Sequence, residues 1–576
     1  MSAILILIIA VALLACGYIF YGSFLAKQWG VDPSHETPAH TSYDGKDFVP
    51  ANPAVLMGHH FSSIAGAGPI NGPIQAAVFG WVPVFLWVVI GGIFFGAMHD
   101  FGALFASIRH NGGSIGEVIK ENMGVRAQRL FTIFALLVLI LVIASFTAVV
   151  AGTFVSVAKE GEAALPFITV GRANVSGNAS TATTSLLFIV IAFIFGFFVY
   201  RKNVKIGPAT IVGVIGIVLI VIAGLNIGVN MSRTAWVIFI AVYIMLASLL
   251  PVWMLLQPRD YLSSFLLYAM LALAVVAVFM AHPSMDSLPV IQSAESTSPV
   301  FPVLFTTIAC GACSGFHSLV SSGTTAKQLD KEKDARPIAY GGMLLECVLA
   351  ILTLCAVAYA YSWNAANPDA ALKGATAIFG GGIAGMIDPS RGATYDILYT
   401  LLVLTYSAFC LTSLDTATRL ARFMFQEFWL DGSKGETPET VTGYKKVLTN
   451  PLVATLITVV LGIALGMHGY AKIWALFGSA NQLLAALGLL AVATWLGNIG
   501  KNNKMFLIPM AFMLCVTIAS LIINTIQQAG KISAGGADWG AYAQVILGVL
   551  LVVLAVILAI EGIATIGNQR KKAAAK

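Results

Sequence analysis

The chain has 576 residues, 58% of them hydrophobic and only 10% charged. That balance excludes a water-soluble globular protein and describes an integral membrane protein. The formal net charge of +6 is no nucleic-acid signal, and where the cations fall matters more than how many there are. In chain order, apolar runs long enough to cross about 30 Å of hydrocarbon lie at 3–26, 53–76, 79–108, 127–157, 182–200, 206–226, 233–255 and 260–281. They continue at 299–325, 337–361, 393–424, 450–467, 472–497, 504–526 and 541–563. The expectation is an all-α polytopic membrane protein with about 15 transmembrane helices. The first run lacks a basic leader and a small-residue cleavage site, so it reads as a retained helix.

Two of these runs cannot be continuous helices. Residues 66–73 hold three glycines (Gly66, Gly68, Gly72) and two prolines (Pro69, Pro73), which leave backbone polar groups unpaired. Lipid cannot satisfy such groups, whereas a protein-lined cavity can. A second such segment follows: Gly315-Phe316-His317-Ser318-Leu319-Val320-Ser321-Ser322-Gly323 aligns without gaps on His59 to Ala67, pairing Ser62 with Ser318. Paired interruptions in two halves of a hydrophobic chain point to a transporter's binding site; small-residue helix packing is the other reading. The half-helix expected to begin at Pro73 would aim free N–H groups at the break and favour a carboxylate.

Lysine and arginine number 25 in one alternating set of loops and 7 in the other. The rich set is placed in the cytoplasm, with the N-terminus outside and the C-terminus inside. The two broken segments are then seven crossings apart, an odd number, so the second group is upside down relative to the first. This is the inverted 5+5 repeat of LeuT-like transporters. The expected division is 1–52 for a peripheral helix and cytoplasmic loop, 53–226 for the first five-helix repeat and 227–298 for two connecting helices. The second, inverted repeat takes 299–497, and 498–576 adds two helices and a basic tail.

Ionisable groups within the bilayer are functional candidates. Glu346 falls near mid-membrane, as either a protonated carboxyl bonded to a neighbour or a proton-coupling carboxylate. His99-Asp100 reads as a pair at the inner interface. Asp415 and Arg419, spaced i, i+4, suit an ordinary helix ion pair. Thr412 and Ser413 suit packing hydroxyls that bond back to their helix, or ligands of a Na⁺ ion with carbonyls freed at the first break. His59, His60 and His317 flank the breaks, as separate packing residues or as one pH-sensitive pocket. The expected substrate-contacting set is His59, His60, Ser62, Ser63, Gly66, Gly68, Asn71, His317, Ser318, Ser321 and Ser322. The expected ion-coupling set is Glu346, Thr412, Ser413, Asp415 and Asp100. No metal-ligand spacing is present and no cofactor is expected; zinc would need His35 or His40 to join the other histidines. The seven cysteines all lie in apolar segments and read as packing residues, with no disulfide framework. Cys310-Gly-Ala-Cys313 has redox spacing but no soluble domain around it.

Several longer motifs carry a resemblance. They are Asp47-Phe48-Val49-Pro50, Gly58-His59-His60-Phe61, Ala65-Gly66-Ala67-Gly68-Pro69, Phe316 to Thr325, Asp415-Thr416-Ala417-Thr418-Arg419 and Phe477-Gly478-Ser479-Ala480-Asn481-Gln482. Through them the chain resembles the carbon starvation protein A family of bacterial transporters over nearly its whole length. The resemblance implies peptide uptake across the cytoplasmic (inner) membrane during carbon starvation, with a proton as the expected coupling ion. Pyruvate/proton symport and a Na⁺-coupled carrier are the alternatives within that class. An enzyme is not expected, since no H-E-x-x-H or similar motif appears. A sensor lacks an output domain, a channel lacks a filter motif, and no Walker loop offers ATP-driven transport. The expected partners are the lipid bilayer, a small peptide or pyruvate, and H⁺ or Na⁺, with no nucleic acid.

Overall fold

Each apolar run read from the sequence is a helix or a pair of half-helices in the computed structural model, which describes residues 1–156, 165–202, 204–292, 299–430, 436–467, 470–535 and 537–574. Capping side chains set several starts. Asn52 accepts from the Ala54 amide, Ser176 from Ala179, Ser232 from Ala235 and Asn450 from Leu452, and prolines Pro53 and Pro451 follow two of these caps.

The principal helices are α1 (Ala3–Trp29), α2 (Pro53–Ile64), α3 (Gly68–Ala76), α4 (Trp81–Ile108), α5 (Val125–Phe154), α6 (Gly177–Arg201), α7 (Ile206–Asn226), α8 (Arg233–Leu249) and α9 (Leu256–Ala281). There follow α10 (Val300–Thr307), α11 (Gly315–Gly323), α12 (Glu332–Ala366), α13 (Ala377–Ile387), α14 (Ala393–Trp429), α15 (Pro451–Gly466), α16 (Tyr470–Asn498), α17 (Lys504–Ser533) and α18 (Trp539–Ala574). Among the described residues, 11 helices are long and apolar enough to cross a membrane alone. The other predicted crossings are the two broken pairs, α2–α3 and α10–α11, and the shorter α8 and α15. Helix α13 was not foreseen, because Gly380, Gly381, Gly382 and Gly385 give its sequence the look of a loop. A ribbon of β1 (Ile168–Val170) and β2 (Ile227–Val229), with Ile168 opposite Val229, ties the segment before α6 to the turn before α8.

Packing repeats itself around the two broken pairs. The most extensive shared faces are those of α5 with α14 and of α16 with α17. Half-helix α3 lies on α12, and in mirror fashion α11 lies on α4. Helix α9 runs along α2 as α16 runs along α10 and α11, while the short helices α8 and α15 touch each other, α5 and α14. Helix α7 stands outside this set; its buried positions are Ala209, Gly213, Ile217, Ile220 and Gly224, one stripe that faces mainly α6 and α9.

The two breaks cross in contact. A Cβ built on Gly68 would lie 2.3 Å from Cβ of Cys310, and one on Gly72 would lie 3.2 Å from Cα of Ile308. Glycine at these two positions lets the segments approach this closely. Replacing Gly68 with alanine should destabilise the detergent-solubilised protein by about 1–3 kcal/mol, read as a lowered unfolding temperature. Adding Cys310→Gly should restore part of that loss; no recovery would show that the crossing is not what Gly68 protects.

Candidate functional site

The first break occupies 65–67, between Ile64 and Gly68. Helix α3 begins with Gly68-Pro69, a proline position suited to a helix start, and Asn71 N–H already bonds to the Ala67 carbonyl at 2.9 Å. The start expected at Pro73 is therefore corrected to Gly68, and Pro73 lies inside the half-helix. The freed Ser63 carbonyl accepts from the Ser413 hydroxyl at 2.8 Å.

The second break spans 308–314, before His317, whereas the first follows His60. The gapless alignment is thus overturned: α11 corresponds to α3 by position in its broken pair, and Ser318 is not the counterpart of Ser62. Polar side chains of α16 satisfy the exposed backbone here. Asn481 Oδ1 accepts from Phe316 N–H at 2.8 Å, and Gln482 Nε2 donates to the Ile308 carbonyl at 3.1 Å. Trp87 Nε1 on α4 donates to that same carbonyl at 3.3 Å.

Two buried charge clusters flank the crossing. In the first, Asp100 on α4 receives His99 Nδ1 at 2.9 Å and His317 Nδ1 at 2.8 Å. An aspartate accepts at both contacts, so each ring carries its proton on Nδ1. His317 Nε2 then faces Glu346 Oε2 at 3.5 Å, and Cys310 Sγ joins them in a donor group whose atoms lie within 4.8 Å of one another. No spacing in the sequence announced that grouping. Among the described residues, neither carboxyl oxygen of Glu346 has a hydrogen-bond partner. His60 sits between the clusters: Nδ1 meets Thr325 Oγ1 at 2.8 Å, and its ring passes Gly342, one turn before Glu346 on α12. His99-Asp100 is thus a wholly buried pair.

The second cluster was invisible in the sequence. His59 Nδ1 meets Asp260 Oδ2 at 2.6 Å, and Arg259 Nη2 meets Asp260 Oδ1 at 2.8 Å. Arg259 also bonds Asp415, whose Oδ2 accepts from the Tyr243 hydroxyl at 2.7 Å. The expected Asp415–Arg419 pair does not form. Arg419 turns to the loop instead, with Asp47 at 2.7 Å and the carbonyls of Ala247 and Leu250. Burial acts to raise the Asp47 carboxyl, but Arg419, Lys327 and Arg422 outweigh it and hold it below its ordinary value. Arg259 and Asp260 escaped notice because α9 starts at Leu256 and carries both inside, whereas the apolar run read from the sequence began only at 260.

The remaining expected residues are engaged in packing. Ser62 Oγ reaches the Asp260 carbonyl at 3.4 Å, and Ser63 Oγ meets Thr416 Oγ1 at 3.2 Å. Ser318 and Ser322 bond back to Gly315 and Ser318 within α11, and Thr412 to Ala408 within α14. Ser321 Oγ has no partner among the described residues. Gly66 admits the Phe146 ring and Ser413 Oγ, each 2.9 Å from a built Cβ. The three histidines have different partners, Asp260, Thr325 and Asp100, which favours the first of the two readings open to them in the sequence. A cavity of about 760 Å³ does open beside α5, α14 and the 373–377 stretch, and of the expected substrate set it is bordered by Asn71.

The family model for carbon starvation protein CstA matches residues 2–375 and 360–520. The chain belongs to this family. It is 33% identical to the peptide transporter CstA of Bacillus subtilis over 562 residues, 89% of either chain. It is 31% identical to the pyruvate/proton symporter BtsT of Escherichia coli, covering 85% of this chain and 76% of that one. A manganese transporter of Eremococcus coleocola aligns over 91% of this chain and 99% of its own at 13% identity, with a TM-score of 0.49. The CstA-family chain is a multi-pass membrane transporter. Its Phe477-to-Gln482 motif acquires a concrete role here, since Asn481 and Gln482 satisfy the second break.

Removing one member of a buried ion pair costs about 3–5 kcal/mol. A double-mutant cycle on thermal stability should therefore couple Arg259→Gln to Asp415→Asn. The cycle of Asp415→Asn with Arg419→Gln should be additive within about 0.5 kcal/mol. Strong coupling in the second cycle would restore the i, i+4 pair.

Proposed function

We propose that this chain is a proton-coupled secondary transporter that takes up small peptides across the bacterial cytoplasmic membrane by alternating access. The relatives named peptide transporters support that substrate, and the pyruvate/proton symporter among them supports pyruvate as the second reading. The observation that carries the coupling is His317 held between Asp100 and Glu346. With Nδ1–H committed to Asp100, His317 Nε2 and Glu346 share one proton position in a site without water access, where the charged and neutral arrangements differ strongly in cost. The shared position lies beside Cys310, on the crossing of the two breaks. Taking up a proton there changes the charge between α4, α11 and α12 and so biases one arrangement of the halves over the other.

The framework proposed for this motion is a LeuT-like inverted repeat. Its first unit comprises α2–α3, α4, α5, α8 and α9, and its second α10–α11, α12, α14, α15 and α16, with the α6–α7 hairpin inserted in the first. The mirrored packing supports this division over five consecutive crossings at 53–226. The lysine and arginine asymmetry supports an external N-terminus and a cytoplasmic C-terminus. Sodium coupling draws on one observation: the Ser63 carbonyl, Ser413 Oγ, Ser63 Oγ and Thr416 Oγ1 gather at the first break. Those oxygens already bond one another, which favours the proton.

Glu346→Gln keeps the shape of the side chain and removes its ionisation. Reconstituted in liposomes, it should still exchange substrate across the membrane but fail to concentrate it under an imposed pH gradient. Concentration equal to the parent's would place the coupling proton elsewhere, and dependence on a Na⁺ gradient alone would select the sodium reading.

A further inference from the structure

The 760 Å³ cavity runs from loop residues down to half-helix α3, which follows the first break. Its floor carries Asn71 of α3 and Tyr406 of α14, whose hydroxyl donates to Asn71 Oδ1 at 3.3 Å. Its mouth carries Arg233, at the start of α8, and Lys373. These two are the charged residues of its lining, and both are cations. Both are exposed, and neither has an ion-pair partner among the described residues. They belong to the loops that hold few cations: 7 of the chain's 32 lysines and arginines lie on that side. A pair of unopposed cations at the rim of a polar funnel is therefore a local exception on its face.

We infer that this cavity is the outer vestibule and that Arg233 and Lys373 recruit the carboxylate of an anionic substrate before it reaches Asn71 and the break. This rests on the transport reading above and narrows its substrate class to carboxylates, a monocarboxylic acid or a peptide through its C-terminus. A low-dielectric funnel with one sign of charge focuses the field and raises the local concentration of the opposite ion, accelerating encounter about 10- to 1,000-fold. Lysine and arginine draw on the same carboxylate in different ways, the lysine as a mobile point charge and the arginine as a planar two-pronged donor. Below the rim, the Phe146 ring covers Gly66 and stands against Phe477 with centroids 6.0 Å apart. Neither His317 nor Glu346 lines the cavity, so its electrostatics can be probed without touching the coupling residues.

The test needs no transport. With the exposed cysteines Cys16 and Cys515 replaced by alanine, Ala375→Cys on the cavity wall serves as reporter, and Thr376→Cys as a second. Intact cells are treated with membrane-impermeant methanethiosulfonates, one carrying a sulfonate and one a trimethylammonium, and the two rate constants are compared. The anionic reagent should be favoured, and Arg233→Gln with Lys373→Gln should lower the anionic-to-cationic ratio at least about tenfold. Pyruvate or a dipeptide should slow labelling, while the dipeptide with an amidated C-terminus should not. An unchanged ratio in the double variant overturns the recruitment. Equal protection by the amidated dipeptide overturns the carboxylate class, and labelling confined to permeabilised cells overturns the outer placement. Glu346→Gln in the same background should leave the ratio untouched, so failure of the coupling reading and failure of this one are distinguishable.

Discussion

The close crossing of two interrupted helices at Gly68 and Cys310 is the constraint on which the other features depend. An interrupted helix inside a bilayer is tolerated only where its freed backbone groups find protein partners. Here each break finds them on neighbouring helices: Ser413 serves the Ser63 carbonyl, and Asn481 and Gln482 serve the Ile308–Phe316 stretch. Bringing the breaks into contact requires a bare Cα at Gly68 and at Gly72. The same approach delivers Cys310 and His317 from one broken pair to Asp100 and Glu346 on the flanking helices. Backbone geometry and buried charge are thus one arrangement.

The two charge clusters do different work. Arg259, Asp260, Asp415, Tyr243 and His59 form a compensated network that ties α2, α8, α9 and α14 together. Buried pairs of this kind contribute little net stability but are costly to break, which suits a fixed frame. Asp100, His317 and Glu346 have no arginine among them; among the described residues both Glu346 oxygens and His317 Nε2 lack a hydrogen-bond partner, whereas the first network leaves only His59 Nε2 and Asp415 Oδ1 so. An under-satisfied buried group is expensive, and in the proposed coupling that expense is what would let one proton tip the balance between two arrangements.

Much of the architecture could be read from hydropathy, because span length and loop charge are fixed by the bilayer itself. The first break was legible from Gly66, Gly68, Pro69 and Gly72, since no other residues would be placed there at the cost of a helix; the second was misplaced, because Gly315–Gly323 is itself helical and the interruption lies at 308–314. What stayed hidden depended on three-dimensional partner choice. Arg419 sits one turn from Asp415, yet it binds Asp47, which is distant in sequence, and local spacing carries no trace of that. Arg259 and Asp260 looked like a helix boundary because adjacent charges usually are. Cys310 read as packing because a thiol in an apolar run, even with Cys313 three residues on, gives no sign of a histidine and a glutamate brought beside it. The glycines of α13 masked a helix for the opposite reason, weak propensity overridden by packing on α9, α12 and α14.

The central claim is that a proton enters the His317–Glu346 pair together with substrate. Substrate-induced proton uptake by the purified protein in weakly buffered detergent solution tests it most directly, with a pH indicator reporting on added pyruvate and on an added dipeptide. The account predicts that one of these ligands raises the solution pH, reporting protons taken up on binding, and that Glu346→Gln binds the same ligand without the pH change. Binding that leaves the pH unchanged in the parent, or that requires Na⁺, would contradict it.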